Sequence, residues 1–358
     1  MSFTTPNITY EAYAYKNGNY PIEIINETID LVNSPNGEFI APKGKIIVKV
    51  NYASLNPIDT KLYELKPSFM KYINGKQGFG KDFSGKVISI GDETNTDVKV
   101  GEYIQGMLGP LISSKGTVAQ YVLLDPKVSP ITTVPTNINL AQASSWPLVL
   151  GTAIGMLKGL QIKDSKIAVL GASTSVGRYV VQLARIGGAK EIVTTNSTRN
   201  KDLITKLGAT SQIDYTRYPN FLKKFLDSVK ESGEFDYIID TYGGNQLFPE
   251  INHILKKGGV YNTIVGDSTG HGLDLIYGTM KTVGRVIYSK LGLLGYEYNF
   301  AALNMMGGWI NDARDMIQDE KLQIFVDSIY PFDQLDKGVE RLDSGKANGK
   351  VVIEVSKE

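Results

Sequence analysis

Ser165-Lys166-Ile167-Ala168-Val169-Leu170-Gly171-Ala172-Ser173-Thr174-Ser175-Val176-Gly177-Arg178 reads as a buried strand that runs into a tight turn of small residues, with a helix opening at about Ser175. The run Ile167 to Leu170 is apolar without alternation, the mark of a strand covered on both faces. A helix start at this place aims unpaired backbone N–H groups and the positive end of the helix dipole at one point, where a pyrophosphate can sit. Small side chains let a phosphate approach the backbone, and Gly177 lets the helix lie close to the strand. The glycine-rich fingerprint of such turns reads here as Ala172, Thr174 and Gly177, so two of its three glycines are replaced. A plain strand–helix turn of any α/β domain is the competing reading.

Working outward, short apolar strands and helical stretches alternate from Leu140 onward: Lys166 to Leu170, Val176 to Ile186, Ile192 to Thr195, Tyr237 to Asp240 and Gly259 to Val265. That alternation predicts a doubly wound parallel sheet, an α/β fold. The first 130 residues differ: strands at Lys45 to Val50, Gly85 to Gly91 and Gly116 to Leu124, punctuated by Gly, Pro and Asn, suggest a barrel-like sheet. The terminal strand Lys350 to Val355 needs a sheet to join and is placed back in this first domain. A chain of 358 residues is expected to form two domains. We expect 1–148, completed by 291–358, and 149–290.

The second strand of the alternating region ends in Asn196-Ser197-Thr198-Arg199-Asn200. An NAD site would offer an Asp or Glu to the ribose 2′-hydroxyl there. Two hydroxyls and a guanidinium suit a 2′-phosphate instead, so NADPH is the expected cofactor, against the blander reading of a solvated loop with a surface arginine. Asp240-Thr241-Tyr242-Gly243-Gly244 and Asn262-Thr263-Ile264-Val265-Gly266 end two further strands, where a nicotinamide would lie; Asp240 reads equally well as a helix cap.

Composition narrows the function classes. The 38 basic and 37 acidic side chains leave a net charge of +1, so neither nucleic acid nor anionic lipid is an expected partner. Cysteine is absent, which removes disulfides, thiolate catalysis and zinc sites with Cys ligands. With only His253 and His271 besides, no metal site is expected. The N-terminus carries Glu11 and no apolar run, and no 18-residue stretch reads as an uncharged apolar span. A cytoplasmic protein without integral membrane segments is the expectation.

With these residues in place, the chain resembles the medium-chain dehydrogenase/reductase superfamily, in its zinc-lacking quinone oxidoreductase-like branch, fungal-type subgroup. The likeness runs over nearly the whole chain in the family's order. It is carried by Ser54-Leu55-Asn56-Pro57-Ile58-Asp59, Gly80 to Gly85, Val98 to Glu102, Trp146-Pro147-Leu148 through Ala153, Gly171 to Gly177, Leu207-Gly208-Ala209 with Ile213-Asp214-Tyr215, Asp240 to Gly244, and Gly345 to Val352. The resemblance implies a GroES-like β-barrel catalytic domain, a Rossmann domain and a cleft between them. It implies metal-independent hydride delivery from NADPH to a quinone, α,β-unsaturated carbonyl or related electrophile, and a homodimer. Carried over by position, Asn56 and Thr152 would contact the nicotinamide half. Gly171, Ser173, Thr174, Ser175, Val176 and Gly177 would hold the pyrophosphate, with Thr241, Val265 and Gly266 further along. Ser197, Arg199 and Tyr215 would surround the 2′-phosphate. Two departures stand out: Thr174 and Ser175 replace the middle glycines, their hydroxyls either bonding a phosphate or displacing it by bulk. The family's substrate-side tyrosine has no counterpart, Lys61 standing nearest and Tyr63 two positions on.

A metal-free reductase must stabilise charge developing on the acceptor oxygen, and hydrogen-bond donors are the usual means. Lys61, Tyr63 and Tyr72 are the candidates beside Asn56, with ordinary core or rim roles as the alternative for each tyrosine. The apolar stretch Leu273 to Leu303, with Lys281, Arg285 and Lys290 interspersed, reads as a cleft wall, a dimer surface or a lipid-resting patch, the first two favoured. Met305-Met306 reads as adaptable packing or as core filling. The altered turn and the absent tyrosine leave a second function class open: a cofactor-binding scaffold or trafficking adaptor with little catalysis.

Overall fold

The computed structural model describes residues 6–16, 20–64, 76–110, 113–218, 220–267, 273–301, 303 and 308–356. Tyr72, His271, Met305 and Met306 lie outside the described residues. The chain divides into two compact units, Met1–Leu148 with Met305–Glu358, and Val149–Asn304.

The first unit is built on β1 (Asn7–Tyr15), β2 (Glu23–Asp30), β3 (Val32–Asn33), β4 (Phe39–Ile40), β5 (Ile46–Ser54), β6 (Gln77–Gly78), β7 (Asp82–Ile90), β8 (Tyr103–Met107), β9 (Tyr121–Leu124) and β10 (Ile131–Thr133). Its main sheet runs in the order β10-β8-β7-β5, with β9 also on β5, while β1 carries β2 and β6 in a second sheet. Alternation in β5 and β7 turns Val48, Val50, Phe83 and Val87 into one apolar core. The helix α1 (Pro57–Glu64) follows β5; α2 (Leu140–Ala143) and α3 (Pro147–Leu157) lead toward the second unit.

The second unit alternates strand and helix: β11 (Lys166–Leu170), α4 (Ser175–Ile186), β12 (Glu191–Asn196), α5 (Lys201–Leu207), β13 (Ser211–Asp214), α6 (Leu222–Ser232), β14 (Phe235–Asp240), α7 (Ile251–Ile254), β15 (Leu255–Thr263), α8 (Leu273–Lys290) and β16 (Glu297–Phe300). The sheet order β13-β12-β11-β14-β15-β16, all parallel, is doubly wound about β11. Every residue of β11 is buried, as its unbroken apolar run requires.

The last elements return to the first unit: α9 (Trp309–Gln318), β17 (Val326–Pro331), α10 (Leu335–Asp343) and β18 (Lys350–Glu354). The terminal strand β18 pairs antiparallel with β5 and parallel with β17, so it joins the barrel sheet as the sequence predicts.

Two expectations change. The second unit ends at Asn304, not at residue 290, because β16 pairs with β15 and extends the parallel sheet by one strand. An uncharged 18-residue stretch does exist at Leu140–Leu157, with a mean hydropathy of 1.2. It is split between α2 and α3, and 72% of it is buried inside the fold, where core helices meet the same criterion. On α8, Tyr277, Met280, Val283 and Ile287 share an exposed apolar stripe. Arg285 leaves that surface and pairs with the buried Asp267 at 2.9 Å, its guanidinium lying over the Phe248 ring.

Candidate dinucleotide site and a buried charge network

Gly171 leaves β11 with φ +73°, a conformation that L side chains rarely adopt. Its N–H donates to the Thr195 hydroxyl at 2.9 Å and the next N–H, of Ala172, to the Thr195 carbonyl at 3.0 Å, so β12 fixes the start of the turn. A Cβ on Gly177 would stand 2.3 Å from the Gly171 carbonyl oxygen, which is why the helix can approach the strand only with glycine there. Thr174 is the N-cap of α4: its hydroxyl accepts the Gly177 N–H at 2.9 Å and meets the Thr241 hydroxyl at 2.9 Å. Thr241 in turn donates to the carbonyls of Leu170 and Gly171.

The first-turn amides of a helix lack intrahelical acceptors. With Gly177 N–H taken by Thr174, those of Ser175 and Val176 find no acceptor among the described residues. Open amides, a helix dipole and two glycines without side-chain bulk make a turn that can take a phosphate. Thr174 thus caps the helix, and its hydroxyl is engaged with Gly177 and Thr241. Ser173 and Ser175 are half-buried at the same turn.

The two strand ends beside the turn are organised by one buried carboxylate. Asp240 accepts the N–H groups of Tyr242 and Gly243 at 3.0 and 2.7 Å on one oxygen. It accepts the Tyr261 and Thr263 hydroxyls at 3.1 Å on the other. Thr263 then receives the N–H groups of Val265 and Gly266. Burial pushes the Asp240 carboxyl up, against these four donors. Asp240 therefore shapes the loops that carry Thr241, Val265 and Gly266 and caps no helix; sequence reasoning missed this because two of its partners lie on the neighbouring strand β15.

At the far end of β12, Ser197 is half-buried and Arg199 is exposed. Residues 196–200 contain no acid, but the sheet register brings one from the next strand. Parallel pairing sets Asp214, the last residue of β13, beside Asn196. The Thr198 hydroxyl donates to Asp214 Oδ2, and Tyr215, 46% exposed, follows directly. Thr152 is buried on α3.

In the first unit the candidates for catalysis sit in different surroundings. Asn56 is fully buried. Its Nδ2 donates to Asp82 at 2.9 Å and its Oδ1 accepts the Lys350 ammonium. Its backbone N–H donates to Asp59 at 2.8 Å. The carboxamide ties a loop to the terminal strand. Tyr63 donates to the Tyr20 carbonyl at 3.0 Å and packs edge-on against Tyr15, so its hydroxyl is used within the fold. Lys61 is exposed on α1.

What the first unit does hold is a buried charge network. Asp82 accepts the Leu148 N–H at 2.9 Å and the Ser54 hydroxyl at 3.2 Å, with the Lys350 ammonium at 3.3 Å. Burial pushes Asp82 up and Lys350 down, each toward its neutral form, and their mutual attraction opposes both shifts. Lys81, also buried, donates to the Lys115 carbonyl.

Asp59 has one oxygen without a partner among the described residues, and burial pushes its carboxyl up to about 7. An acid whose folded value is raised binds more protons folded than unfolded. Its favourable share is therefore full below about pH 4 and is lost as pH rises to the folded value near neutrality. Asp59→Asn removes that titration while its carbonyl keeps the Asn56 N–H. Relative to wild type, the variant should gain on the order of 2–4 kcal/mol between about pH 5 and about pH 8. Urea midpoints at the two pH values measure it, and a stability difference independent of pH would contradict the assignment.

No group of three or more His, Cys, Asp or Glu able to hold a metal occurs among the described residues. Comparison with known proteins places the two units. Residues 42–135 match the family described as alcohol dehydrogenase GroES-like domain, and residues 207–353 match the family described as zinc-binding dehydrogenase. The chain is 30% identical to Protein YIM1 of Saccharomyces cerevisiae over 97% of its own length and 98% of the relative's. A quinone oxidoreductase from Coxiella burnetii shares the fold with a TM-score of 0.73 at 24% identity, over 98% of this chain and 100% of that one. A mycobacterial protein solved with NADPH does so with a TM-score of 0.68 at 17% identity, over 96% and 99%. The GroES-like unit, the doubly wound unit and the full-length relative together make this chain a member of the medium-chain dehydrogenase/reductase superfamily of oxidoreductases.

Proposed function

We propose that the protein is an NADPH-dependent reductase of a quinone, an α,β-unsaturated carbonyl or a related carbonyl compound. The observation that carries this reading is the Gly171–Gly177 turn, whose Ser175 and Val176 amides find no acceptor among the described residues. Gly171, Ser173, Ser175, Val176 and Gly177 would hold the pyrophosphate. Thr241, Val265, Gly266 and Thr152 would line the nicotinamide half, and Ser197, Arg199 and Tyr215 the adenosine 2′-phosphate. When bound, the cofactor supplies a hydride; this chain's own share is to bind and orient.

The test follows loss of reduced-nicotinamide absorbance with a quinone, a cyclic enone, an acyclic enone and an aldehyde. We expect turnover with NADPH well above that with NADH. Arg199→Ala should raise the KM for NADPH about tenfold and leave that for NADH within about twofold, since it removes one charge-assisted phosphate contact. An unchanged NADPH KM would remove the guanidinium from the site.

A second reading rests on the engaged polar ends of Asn56 and Tyr63. A cofactor-binding scaffold needs no donor for an acceptor oxygen. NADPH binding by calorimetry without turnover on any of the four acceptors would favour it.

A further inference from the structure

The adenosine end contains an acid that nothing above assigns to the cofactor. Asp214 closes β13 beside the end of β12, and three donors converge on it. The Thr198 hydroxyl reaches Oδ2; the Thr216 N–H and hydroxyl reach Oδ1 at 2.9 and 2.5 Å. Arg217 Nε stands 3.6 Å from Oδ2. The backbone reinforces the arrangement. Tyr215 N–H donates to the Asn196 carbonyl, and the N–H groups of Arg217 and Tyr218 donate to the Asp214 carbonyl. Thr198 opens the short helical turn that carries Arg199, and Tyr215 opens the turn on the other side.

A carboxylate at this end of a dinucleotide fold has two possible effects. Offered to a ribose, it accepts the 2′-hydroxyl and repels a 2′-phosphate. Here its lone pairs are turned onto Thr198 and Thr216. We propose that Asp214 is a positioning residue for 2′-phosphate recognition, latching the Arg199 turn to the Tyr215 turn so that guanidinium and ring present one fixed pocket. The proposal rests on the NADPH reading and names the residue that would set its selectivity. The hydroxyl donors hold the Asp214 carboxyl well down, at about 2, so the latch stays closed at every pH near neutrality.

The test uses the full chain and two variants. Asp214→Ala removes all three acceptor contacts; Thr198→Val removes one without changing charge. Amide hydrogen exchange on the ligand-free proteins should be faster over residues 197–200 and 214–218 in both variants and unchanged in β11. Calorimetry should show NADPH and 2′,5′-ADP bound about tenfold more weakly by Asp214→Ala and about threefold by Thr198→Val, with NADH and 5′-AMP within about twofold. Tighter NADPH binding by Asp214→Ala would identify a repelling acid and overturn the latch. So would an equal loss for both cofactors, or unchanged exchange. Wild-type protein that fails to prefer NADPH overturns the NADPH reading itself, and the proposal with it; wild-type preference with unaffected variants overturns the latch alone.

Discussion

Gly177→Val should abolish measurable NADPH binding and lower the unfolding midpoint by roughly 5–15 °C. The added Cβ would lie 2.3 Å from the Gly171 carbonyl oxygen and 2.9 Å from Ala172 Cα, both backbone atoms with no rotamer to yield. The helix must therefore back away from β11 or the turn must open. Either movement breaks the Thr174 cap, whose acceptor bond is to the N–H of this same residue. Overpacking a fitted contact costs about 1–3 kcal/mol, and losing a cap about 1 more. Gly177→Ala should show the same direction at the lower end of that range. Thermal unfolding and calorimetry on the two variants check the prediction. NADPH binding retained by Gly177→Val would mean that the phosphates lie elsewhere.

The turn was legible because phosphate approach constrains a contiguous stretch: small residues, an apolar strand before, a helix after. The role of Thr174 was not, since a helix cap and a phosphate ligand use the same hydroxyl at the same place in sequence. The distances to Gly177 and Thr241 show the cap. The doubly wound sheet could be read from its alternation, yet its last strand, Glu297–Phe300, is too short and polar to carry a pattern. The link from Asp214 to Thr198 escaped because parallel register between two strands sets it, although the two bonds from Thr216 are local. Asn56 shows the same limit at long range. Its motif is plain in sequence, but what its carboxamide meets is fixed by Lys350, 294 positions away. A lysine heading an otherwise apolar strand is a signal of burial, visible at Lys350 and again at Lys166, whose ammonium lies 4.3 Å from the Phe235 ring centroid.

That long-range contact carries the second large effect. Lys350→Met should lower stability by about 3–5 kcal/mol, because it strands Asp82 as an uncompensated buried charge. It also takes the donor from Asn56 Oδ1, so β5, the loop after it and β18 lose their common polar anchor. The Ser54, Asn56 and Leu148 donors would remain on Asp82, which keeps the loss near the middle of that range. If the penalty comes from the stranded charge, removing the charge as well must relieve it. Asp82→Asn combined with Lys350→Met should therefore be more stable than Lys350→Met alone by about 1–2 kcal/mol, although it contains one more substitution. Urea unfolding of the wild type, both singles and the double closes the cycle. Strictly additive losses would mean that Lys350 acts by filling space, and that the ion pair between the terminal strand and Asp82 contributes nothing to holding the first unit closed.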